Sequence, residues 1–490
     1  MILVQPDNRK REPLFQQIFE QLKGYIESGD LEVGENLPST RKMAETVGVH
    51  RTTIVRAYEE LWALGYIESQ PGGYSRVRQR NKLVNENSEQ AKSIVDWKER
   101  TSDAANRLTK PMITEDGTTR QIIDFRPLNP DIRLMPVADF KKCLNKVLNQ
   151  EGSSLLSYGN ALGYLPLREM IAKNMRQHGI SASADEVMLT NGIQNGLELI
   201  FRSLVNPGET IITESPTYSK MLEMLKYLDI KVIGVPMKDG GMDLDVLEII
   251  LKTERPKLLY TIPTFHNPTG ISSSQAHRER LLAICEKYKL PILEDGFEED
   301  MKYFGKAIMP IKSMDRNQLV IYVGTFSKIL FPGVRIGWAV APKELIDKLG
   351  LIKSVCELSG VNLVQAAMYQ FCKGGHYEKH KMRMHRTYRK RMNYALQLCR
   401  EHLDHGLVHF SRPDGGYLLW FTLKNTYLSE TEVIEGLSEA GVLVSAGSQY
   451  FPIKSNEIQF RFSVACRDES EIKEGIIRIS KYLNRLKQSR

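Results

Sequence analysis

The chain lacks the usual features of a secreted, metal-binding or membrane-spanning protein. Its six cysteines are scattered through 490 residues, and no two of them form a Cys-x-x-Cys pair. This spacing argues against a disulfide framework or a zinc site and favours a reducing cytoplasm. No run of eighteen apolar residues occurs and residues 1–15 have no apolar signal core, so neither a transmembrane helix nor a signal peptide is predicted. We therefore expect a cytoplasmic protein with no metal site and no membrane contact.

A strong excess of one charge is also missing. The net charge of +8 is diluted over the whole chain, and residues 1–80 contain 11 basic and 11 acidic side chains. Bulk charge is therefore only a weak indication of nucleic-acid binding. The basic residues do cluster at positions 41–56 and 76–80, and the acidic residues lie mostly elsewhere.

The first eighty residues have the pattern of a winged helix-turn-helix. Apolar residues at helical spacing predict a helix over residues 12–28. Turn and cap signals then predict helices from about Arg41 to Gly48 and from Arg51 to Leu64, followed by a hairpin with strands near 66–68 and 74–77. The hairpin turn is Gln70-Pro71-Gly72-Gly73. A small helical bundle with solvated charges is the alternative interpretation.

A helix-turn-helix places polar residues of its second helix in the major groove of DNA, while a wing can contact the backbone. The side chains that this geometry selects are Arg41, His50, Arg51, Thr52, Thr53 and Arg56 on the helices, with Tyr74 and Arg76 on the wing.

The rest of the chain divides by composition. Residues 81–121 are polar and mixed in charge, which predicts a linker, with a helix around 88–99. From residue 122 to 490, short apolar runs alternate with amphipathic stretches. This alternation predicts an α/β fold, with a mostly parallel sheet, helices on both faces and a smaller α+β subdomain at the C-terminal end.

The most specific motif is Thr325-Phe326-Ser327-Lys328, followed by Pro332-Gly333 and then Arg335. A lysine amine can form a Schiff base with an aldehyde. The hydroxyls of Thr325 and Ser327 and the guanidinium of Arg335 can bind a phosphate. The motif predicts a site for a phosphorylated aldehyde cofactor, although Thr-x-Ser-Lys alone also fits a surface turn.

Polar residues follow three other predicted strands. Asp295 could keep a pyridine nitrogen protonated, Asn267 could donate to a ring hydroxyl, and the helix start at Gly192-Ile193 could bind phosphate through backbone N–H groups. Each also has an ordinary interpretation: a helix cap for Asp295, and turns for the other two.

Two further residues fit the same ligand. Tyr218 could stack on a flat ring, or it could be a core aromatic residue. Arg461 lies inside an apolar strand, where a buried guanidinium requires an anion. That anion could be a substrate carboxylate or the partner in an internal salt bridge.

With these residues in this order, residues 122–486 resemble the fold-type I pyridoxal phosphate enzymes of the class I/II aminotransferase family. The resemblance implies that Lys328 is the catalytic Schiff-base lysine and that Arg461 binds the substrate carboxylate. It assigns the cofactor contacts to Asp295, Asn267, Tyr218, Gly192, Ile193, Thr325, Ser327 and Arg335. It also implies that Tyr158 reaches the phosphate in a neighbouring subunit.

Residues 1–80 resemble the winged helix of GntR-type regulators through Leu37-Pro38-Ser39-Thr40-Arg41 and Val49-His50-Arg51-Thr52-Thr53. The order of the two domains resembles the MocR/GabR-type regulators. Membership implies a homodimer, which the linker would allow to be domain-swapped.

Two positions depart from the family pattern. Phe297 stands where a tyrosine usually contacts the cofactor, and Leu128 stands where glycine is usual beside the substrate. Both put turnover in doubt, with ordinary family drift as the alternative. A basic run from Lys379 to Arg391 also raises the hypothesis of a second DNA contact, although such runs are usually solvated helix faces.

These patterns predict a regulator that binds operator DNA and pyridoxal 5'-phosphate. It would sense an amino acid, an amine or the cofactor itself through an aldimine at Lys328. The alternatives are an active aminotransferase with an accessory DNA-binding domain and a scaffold that no longer binds the cofactor.

Overall fold

The computed structural model describes residues 4–7, 9–10, 12–69, 74–79, 95–108, 122–306, 308–424, 428–453 and 455–488. The chain divides into two compact units, Met1–Arg100 and Thr101–Arg490. This division falls inside the predicted linker. The predicted hairpin turn at 70–73, residues 81–94 and 109–121 of the linker, and most of the helix predicted around 88–99 lie outside the described residues.

The first unit contains four helices and two strands within its described residues. They are α1 (Leu14–Ser28), α2 (Thr40–Val47), α3 (Arg51–Ala63), β1 (Ile67–Ser69), β2 (Ser75–Val77) and α4 (Trp97–Arg100). Strands β1 and β2 pair antiparallel, as the hairpin pattern predicts. The Ser39 hydroxyl accepts a hydrogen bond from the Lys42 N–H at the start of α2, and Gly48 ends the helix with φ +73°, a conformation that glycine adopts without strain.

The core of this unit holds the second helix of the helix-turn-helix, α3, against α1. Ile18 and Leu22 of α1 and Ile54 and Leu61 of α3 are fully buried in one cluster. Since burial of each such side chain contributes about 1.5–3 kcal/mol, this cluster fixes α3 against α1. The polar side chains at the start of α3 stay exposed as a result.

The second unit begins inside the predicted linker. Its first helix, α5 (Asp103–Asn106), was not predicted from the sequence. The Arg107 guanidinium donates to the Tyr227 carbonyl at 3.2 Å and lies 3.6 Å from the Asp229 carboxylate. Residues 101–108 are therefore anchored on the second unit.

The other helices of the second unit follow the predicted alternation. They are α6 (Val137–Glu151), α7 (Leu165–Met175), α8 (Ile193–Leu204), α9 (Ser219–Tyr227), α10 (Leu244–Thr253), α11 (Gln275–Tyr288), α12 (Ile311–Met314), α13 (Lys343–Glu357), α14 (Asn362–Lys373), α15 (His376–His402), α16 (Glu430–Glu439) and α17 (Glu469–Gln488).

Its strands are β3 (Ile123–Asp124), β4 (Val187–Thr190), β5 (Thr210–Ser215), β6 (Lys231–Lys238), β7 (Gly241–Met242), β8 (Leu259–Thr261), β9 (Ile292–Asp295), β10 (Val320–Thr325), β11 (Gly337–Val340), β12 (Val408–Phe410), β13 (Leu418–Leu423), β14 (Val442–Leu443), β15 (Ser445–Ala446) and β16 (Ile458–Ser463).

The large sheet has eight strands in the order β4-β11-β10-β9-β8-β5-β6-β7. Strands β10, β9, β8, β5 and β6 are parallel neighbours. Strand β11 runs antiparallel to both β10 and β4, so β4 has the same direction as the parallel set. The carboxyl ends of these strands therefore meet at one edge, where α/β folds bind ligands.

Both faces of this sheet are covered, as the alternation of strands and helices predicts. Successive side chains on a strand point to opposite faces. In β10, Ile321 and Val323 join the largest apolar cluster, which includes residues of α8, whereas Val320 joins a cluster with residues of α10 and α11 and Tyr322 joins a cluster with residues of α7 and α14. The predicted smaller α+β part contains the antiparallel sheet β12-β13-β16-β15.

Close packing in the centre of the sheet yields a prediction. A Cβ atom added at Gly324 would lie 2.5 Å from the Trp338 indole, whereas one added at Gly240 would meet no atom within 4 Å. Overpacking typically costs about 1–3 kcal/mol. We expect Gly324→Ala to lower the midpoint of thermal unfolding, while the control Gly240→Ala leaves it nearly unchanged. Equal midpoints for the two variants would contradict this packing.

Candidate functional site

Lys328 and Asp295 follow two paired strands at the ligand-binding edge. In the register of β9 and β10, Asp295 lies opposite Val323, and the Gly296 N–H donates to the Val323 carbonyl at 2.9 Å. Burial lowers the pKa of the Lys328 amine to about 8, with the Arg461 charge as the next cause, and the Glu298 and Asp295 carboxylates oppose this effect. A larger share of the amine is therefore neutral at physiological pH, and the neutral amine is the form that attacks an aldehyde.

The Asp295 carboxylate has one bonded and one open oxygen. Its Oδ2 accepts a hydrogen bond from the Tyr260 hydroxyl at 2.7 Å, and its buried Oδ1 has no partner among the described residues. Burial raises the pKa of this carboxyl to about 6, which the Tyr260 hydroxyl opposes. A buried acceptor without a partner is uncommon, and a protonated ring nitrogen would satisfy it.

The residues predicted to bind phosphate lie close to the start of α8. The Arg335 guanidinium covers Gly192 so closely that a Cβ added there would lie 2.5 Å from Nη2. Arg335 Nη2 donates to the Asn191 carbonyl at 2.9 Å. The Thr325 hydroxyl donates to the Ser327 hydroxyl at 3.0 Å. A helix start with its N–H groups, a cation and two hydroxyls form a suitable cradle for a phosphate.

Arg461 and Asn267 lie together on the other side of the site. Arg461 Nη1 donates to Asn267 Oδ1 at 3.0 Å, and Nη2 donates to the Arg126 carbonyl at 2.5 Å and to the Ser445 hydroxyl at 3.2 Å. None of these partners is a carboxylate, so the internal salt bridge considered from the sequence is not formed by them. Because Arg461 is buried and its Nε has no partner among the described residues, the guanidinium suits an anionic ligand.

Four aromatic or apolar positions complete the comparison with the sequence. Tyr218 donates to Gln194 Oε1 at 3.2 Å, and the charges of Asp295 and Arg461 both affect its pKa, which burial raises. Phe297 is buried, and Leu128 is partly buried against the same apolar cluster. Tyr158 is 80% exposed, so its side chain is accessible from outside the chain.

Two residues of the site were missed from the sequence. Tyr260 lies inside β8 among apolar neighbours, and its polar hydroxyl was the only signal of its role. Glu298 is 1% exposed although it belongs to an acidic run. Its charge acts on Lys328. A fully buried glutamate is rare, but the sequence does not show that this one is buried.

The donor set fits pyridoxal 5'-phosphate. Lys328 offers a nucleophilic amine, Asp295 an open buried acceptor, and the start of α8 with Arg335 an anion cradle. When bound, this cofactor supplies an aldehyde for amines and a ring that accepts electrons. Among the described residues, no group of three or more His, Cys, Asp or Glu side chains could hold a metal ion.

The predicted DNA-contacting residues lie in the first unit, and most of them are exposed. His50 caps α3 by accepting from the Thr52 N–H, and Arg51 donates to the Thr40 hydroxyl at 3.4 Å. The exposed members are Arg41, His50, Arg51, Thr52, Arg56, Tyr74 and Arg76, and Thr53 is partly buried.

Arg56 and Arg76 contact other groups of the first unit. The Arg56 guanidinium lies 3.8 Å from the centre of the Phe15 ring, a favourable cation–π distance. Arg76 Nε donates to the Gly34 carbonyl at 2.7 Å. Both contacts hold these side chains within the unit, and the ion pair of Arg41 with Glu45 at 3.3 Å and the bond of Arg51 to Thr40 do the same for the other two arginines.

Several basic side chains on α15 form ion pairs that the sequence does not reveal. Arg391 is buried and pairs with Asp131 at 2.7 Å. Lys381 pairs with Glu378 and Asp300, and Lys390 pairs with Glu469 at 2.9 Å. These pairs weaken the hypothesis of a second DNA contact, because partners in the fold already neutralise much of the charge. Among the helices in the described part of the chain, none has the length and apolar character of a membrane span.

The Lys328 environment predicts a pH dependence. A lysine with a pKa of about 8 is mostly protonated at pH 7 and mostly neutral at pH 9. The rate at which cofactor-free protein captures pyridoxal 5'-phosphate should therefore rise roughly tenfold between these pH values and then level off. The absorbance change measures this rate, with Lys328→Ala as the control for other lysines. A rate that still rises steeply above pH 10 would show that the amine is not perturbed.

Comparison with known proteins agrees with this geometry. Residues 130–479 match the family described as aminotransferase class I and II, and residues 14–77 match the gntR family of bacterial regulatory proteins. The α-aminoadipate aminotransferase LysN of Thermus thermophilus, solved with N-(5'-phosphopyridoxyl)-L-leucine, is 28% identical. It superposes with a TM-score of 0.75 and covers 81% of this chain and 100% of its own.

Two relatives match over nearly the whole length. An uncharacterized HTH-type transcriptional regulator of Bacillus subtilis, YdfD, is 29% identical over 97% of this chain and 98% of its own length. The probable rhizopine catabolism regulatory protein MocR of Rhizobium meliloti is also 29% identical, over 95% of this chain and 92% of its own. The chain therefore belongs to the aminotransferase class I and II family and carries a gntR-type helix-turn-helix at its N-terminal end, the architecture predicted from the resemblance to MocR-type regulators.

Proposed function

We propose that this protein is a DNA-binding transcriptional regulator that depends on pyridoxal 5'-phosphate. The observation that carries the proposal is that one chain contains a helix α3 with exposed polar residues at its start and the predicted cofactor-binding residues around Lys328, with Phe297 in place of the usual tyrosine. The proposed domains are a winged helix at 1–80, a linker at 81–121 and a cofactor-binding domain at 122–490. We place the protein in the cytoplasm, where operator DNA and the cofactor are both accessible.

The proposed small-molecule signal is an amino acid or another amine. Arg461 supports a carboxylate-bearing ligand, because its buried guanidinium has no carboxylate among its hydrogen-bond partners. Lys328 is the group that the ligand's amine would displace from the cofactor. A variant of the proposal is that the cofactor itself is the signal, which Phe297 and Leu128 favour because both positions are unusual for an enzyme of this family.

Control of DNA binding requires that the ligand binds two states of the protein with different affinity. We propose a homodimer in which ligand binding changes the spacing of the two DNA-binding domains. The linker would allow this dimer to be domain-swapped. The 80% exposure of Tyr158 supports a role outside its own chain, where it would reach the partner's phosphate. Its aromatic ring would otherwise be left in water.

An active aminotransferase is the second candidate. The neutral Lys328 amine and the open Asp295 oxygen favour it, because an enzyme would use the same two groups. Half-reaction assays with a panel of amino acids separate the candidates. Multiple rapid turnovers would favour the enzyme, and binding without turnover would favour the regulator.

The regulator makes a direct prediction for binding to the DNA upstream of its own gene. We expect tight, sequence-selective binding whose affinity changes by about 5- to 150-fold on addition of cofactor, the usual range of coupling between sites. The Lys328→Ala variant should bind DNA without this response. Titrations of cofactor-free protein, loaded protein and the variant at two salt concentrations measure it. Equal affinity in all three would exclude the cofactor alone as the switch.

The recognition helix makes a separate prediction. Arg51 begins α3 and is exposed, so Arg51→Ala should weaken operator binding by about 1–3 kcal/mol if the side chain contacts a base. Lys23→Ala is the matched control, because it removes one positive charge from α1, where Lys23 pairs with Glu20. Equal losses for the two variants would indicate a general charge effect and would contradict a contact by Arg51.

A further inference from the structure

A buried polar cluster surrounds Glu298, the carboxyl whose charge acts on Lys328, and its tyrosine hydroxyls have no role in the site described above. It contains the Glu298 carboxyl and the hydroxyls of Tyr303, Tyr388 and Tyr417. All four side chains are at most 7% exposed. Neither oxygen of Glu298 and none of the three hydroxyls has a hydrogen-bond partner among the described residues. Such a group of unsatisfied buried atoms requires an explanation.

Backbone contacts hold this cluster in place. The Gly416 N–H donates to the Met301 carbonyl at 2.8 Å, and the Tyr303 N–H donates to the Asp414 carbonyl at 2.9 Å. A Cβ added at Gly416 would lie 3.3 Å from Glu298 Oε1. The Tyr388 ring, on α15, packs on the Tyr417 ring with 5.4 Å between their centres. The carboxyl is therefore enclosed, and it faces polar atoms that are already ordered.

The charges around Lys328 identify the possible partners of its amine. Arg461 and Arg335 are cations, which disfavour an ammonium group, and Asp295 and Glu298 favour one. Asp295 already bonds Tyr260 and has only one open oxygen, which suits the cofactor's ring nitrogen. Glu298 is the remaining carboxylate in this set, and both of its oxygens are open.

We propose that Glu298 is the ion-pair partner of the Lys328 amine whenever this lysine is not bonded to the cofactor. This inference rests on the proposed function, and it assigns a state to the lysine that an incoming amine has released. In the structure, neither Glu298 oxygen is within hydrogen-bonding distance of the amine, so the flexible four-carbon stem of Lys328 must turn towards the cluster.

The proton that Lys328 gains in this step comes from Glu298, so no outside acid is needed. Burial holds the pKa of Glu298 well above its usual value, against the opposing effects of Lys328 and the Tyr417 hydroxyl. In this proposal the carboxyl holds the proton while Lys328 is engaged. On release, the O–H bond of Glu298 breaks, its electron pair stays on oxygen, and a new N–H bond forms on Lys328. The Tyr417 hydroxyl can then donate to the carboxylate, which stabilises it.

The consequence concerns turnover. A lysine that is held as an ammonium ion cannot act as a general base, because its lone pair is occupied. Glu298 would therefore withhold the proton-abstracting group from a bound amino acid. A site of this kind captures an amine and retains it, as a sensor requires.

The test measures the rate at which cofactor-free, full-length protein captures pyridoxal 5'-phosphate as a function of pH, and it determines the pH midpoint of that curve. Glu298→Gln should lower this midpoint by about one pH unit or more, because an opposite charge near a lysine raises its pKa by that order. Glu299→Gln is the matched control. It changes the adjacent acidic residue, whose carboxylate accepts from the Thr264 hydroxyl at 3.0 Å, and it should leave the midpoint unchanged.

Tyr417→Phe gives an independent readout that preserves the buried ring. It removes a hydroxyl that stabilises ionised Glu298, so the midpoint should shift in the same direction by a smaller amount. An unchanged midpoint in both Glu298→Gln and Tyr417→Phe overturns the inference and leaves the regulator intact if cofactor-dependent DNA binding persists. Failure of the unmodified protein to capture the cofactor would overturn both.

Discussion

The proposed site depends on one constraint: an amine must stay reactive near neutral pH in a pocket that, in our proposal, also binds two anionic groups. The arginines that suit those anions, Arg335 and Arg461, both lower the pKa of Lys328, and burial lowers it further. Unopposed, these effects would lower the pKa of the lysine further. Asp295 and Glu298 oppose them, so the balance lies near pH 8 and small changes in the site can shift it.

The sheet makes this balance possible. The carboxyl ends of β4, β9 and β10 meet at one edge, so the start of α8, the Asp295 carboxylate and Lys328 come from separate strands. Apolar clusters anchor these strands on both faces. Asp295 ends β9 and Lys328 follows β10 by three residues, so both groups are brought to the same edge of the sheet.

The sequence predicted the secondary-structure elements and the ends of the strands better than it predicted which distant residues interact. Gly48, Ser39 and the apolar runs mark where elements begin and end because these signals act locally. Pairing between distant residues is not visible in this way. Arg391 pairs with Asp131, 260 positions away, and Tyr260 bonds Asp295. For the same reason the basic run on α15 suggested a free surface, and Glu298 was not recognised as buried. The individual roles of the site residues remain predictions.

The length of α15 has a mechanical consequence. A helix of 27 residues spans about 40 Å. Near its start, the His380 ring is 2.9 Å from the carbonyl of Ile329, the residue after Lys328. Farther along, Arg391 bonds the Ala465 carbonyl beside the end of β16. The helix thus connects the segment that carries Lys328 with the end of the strand that carries Arg461.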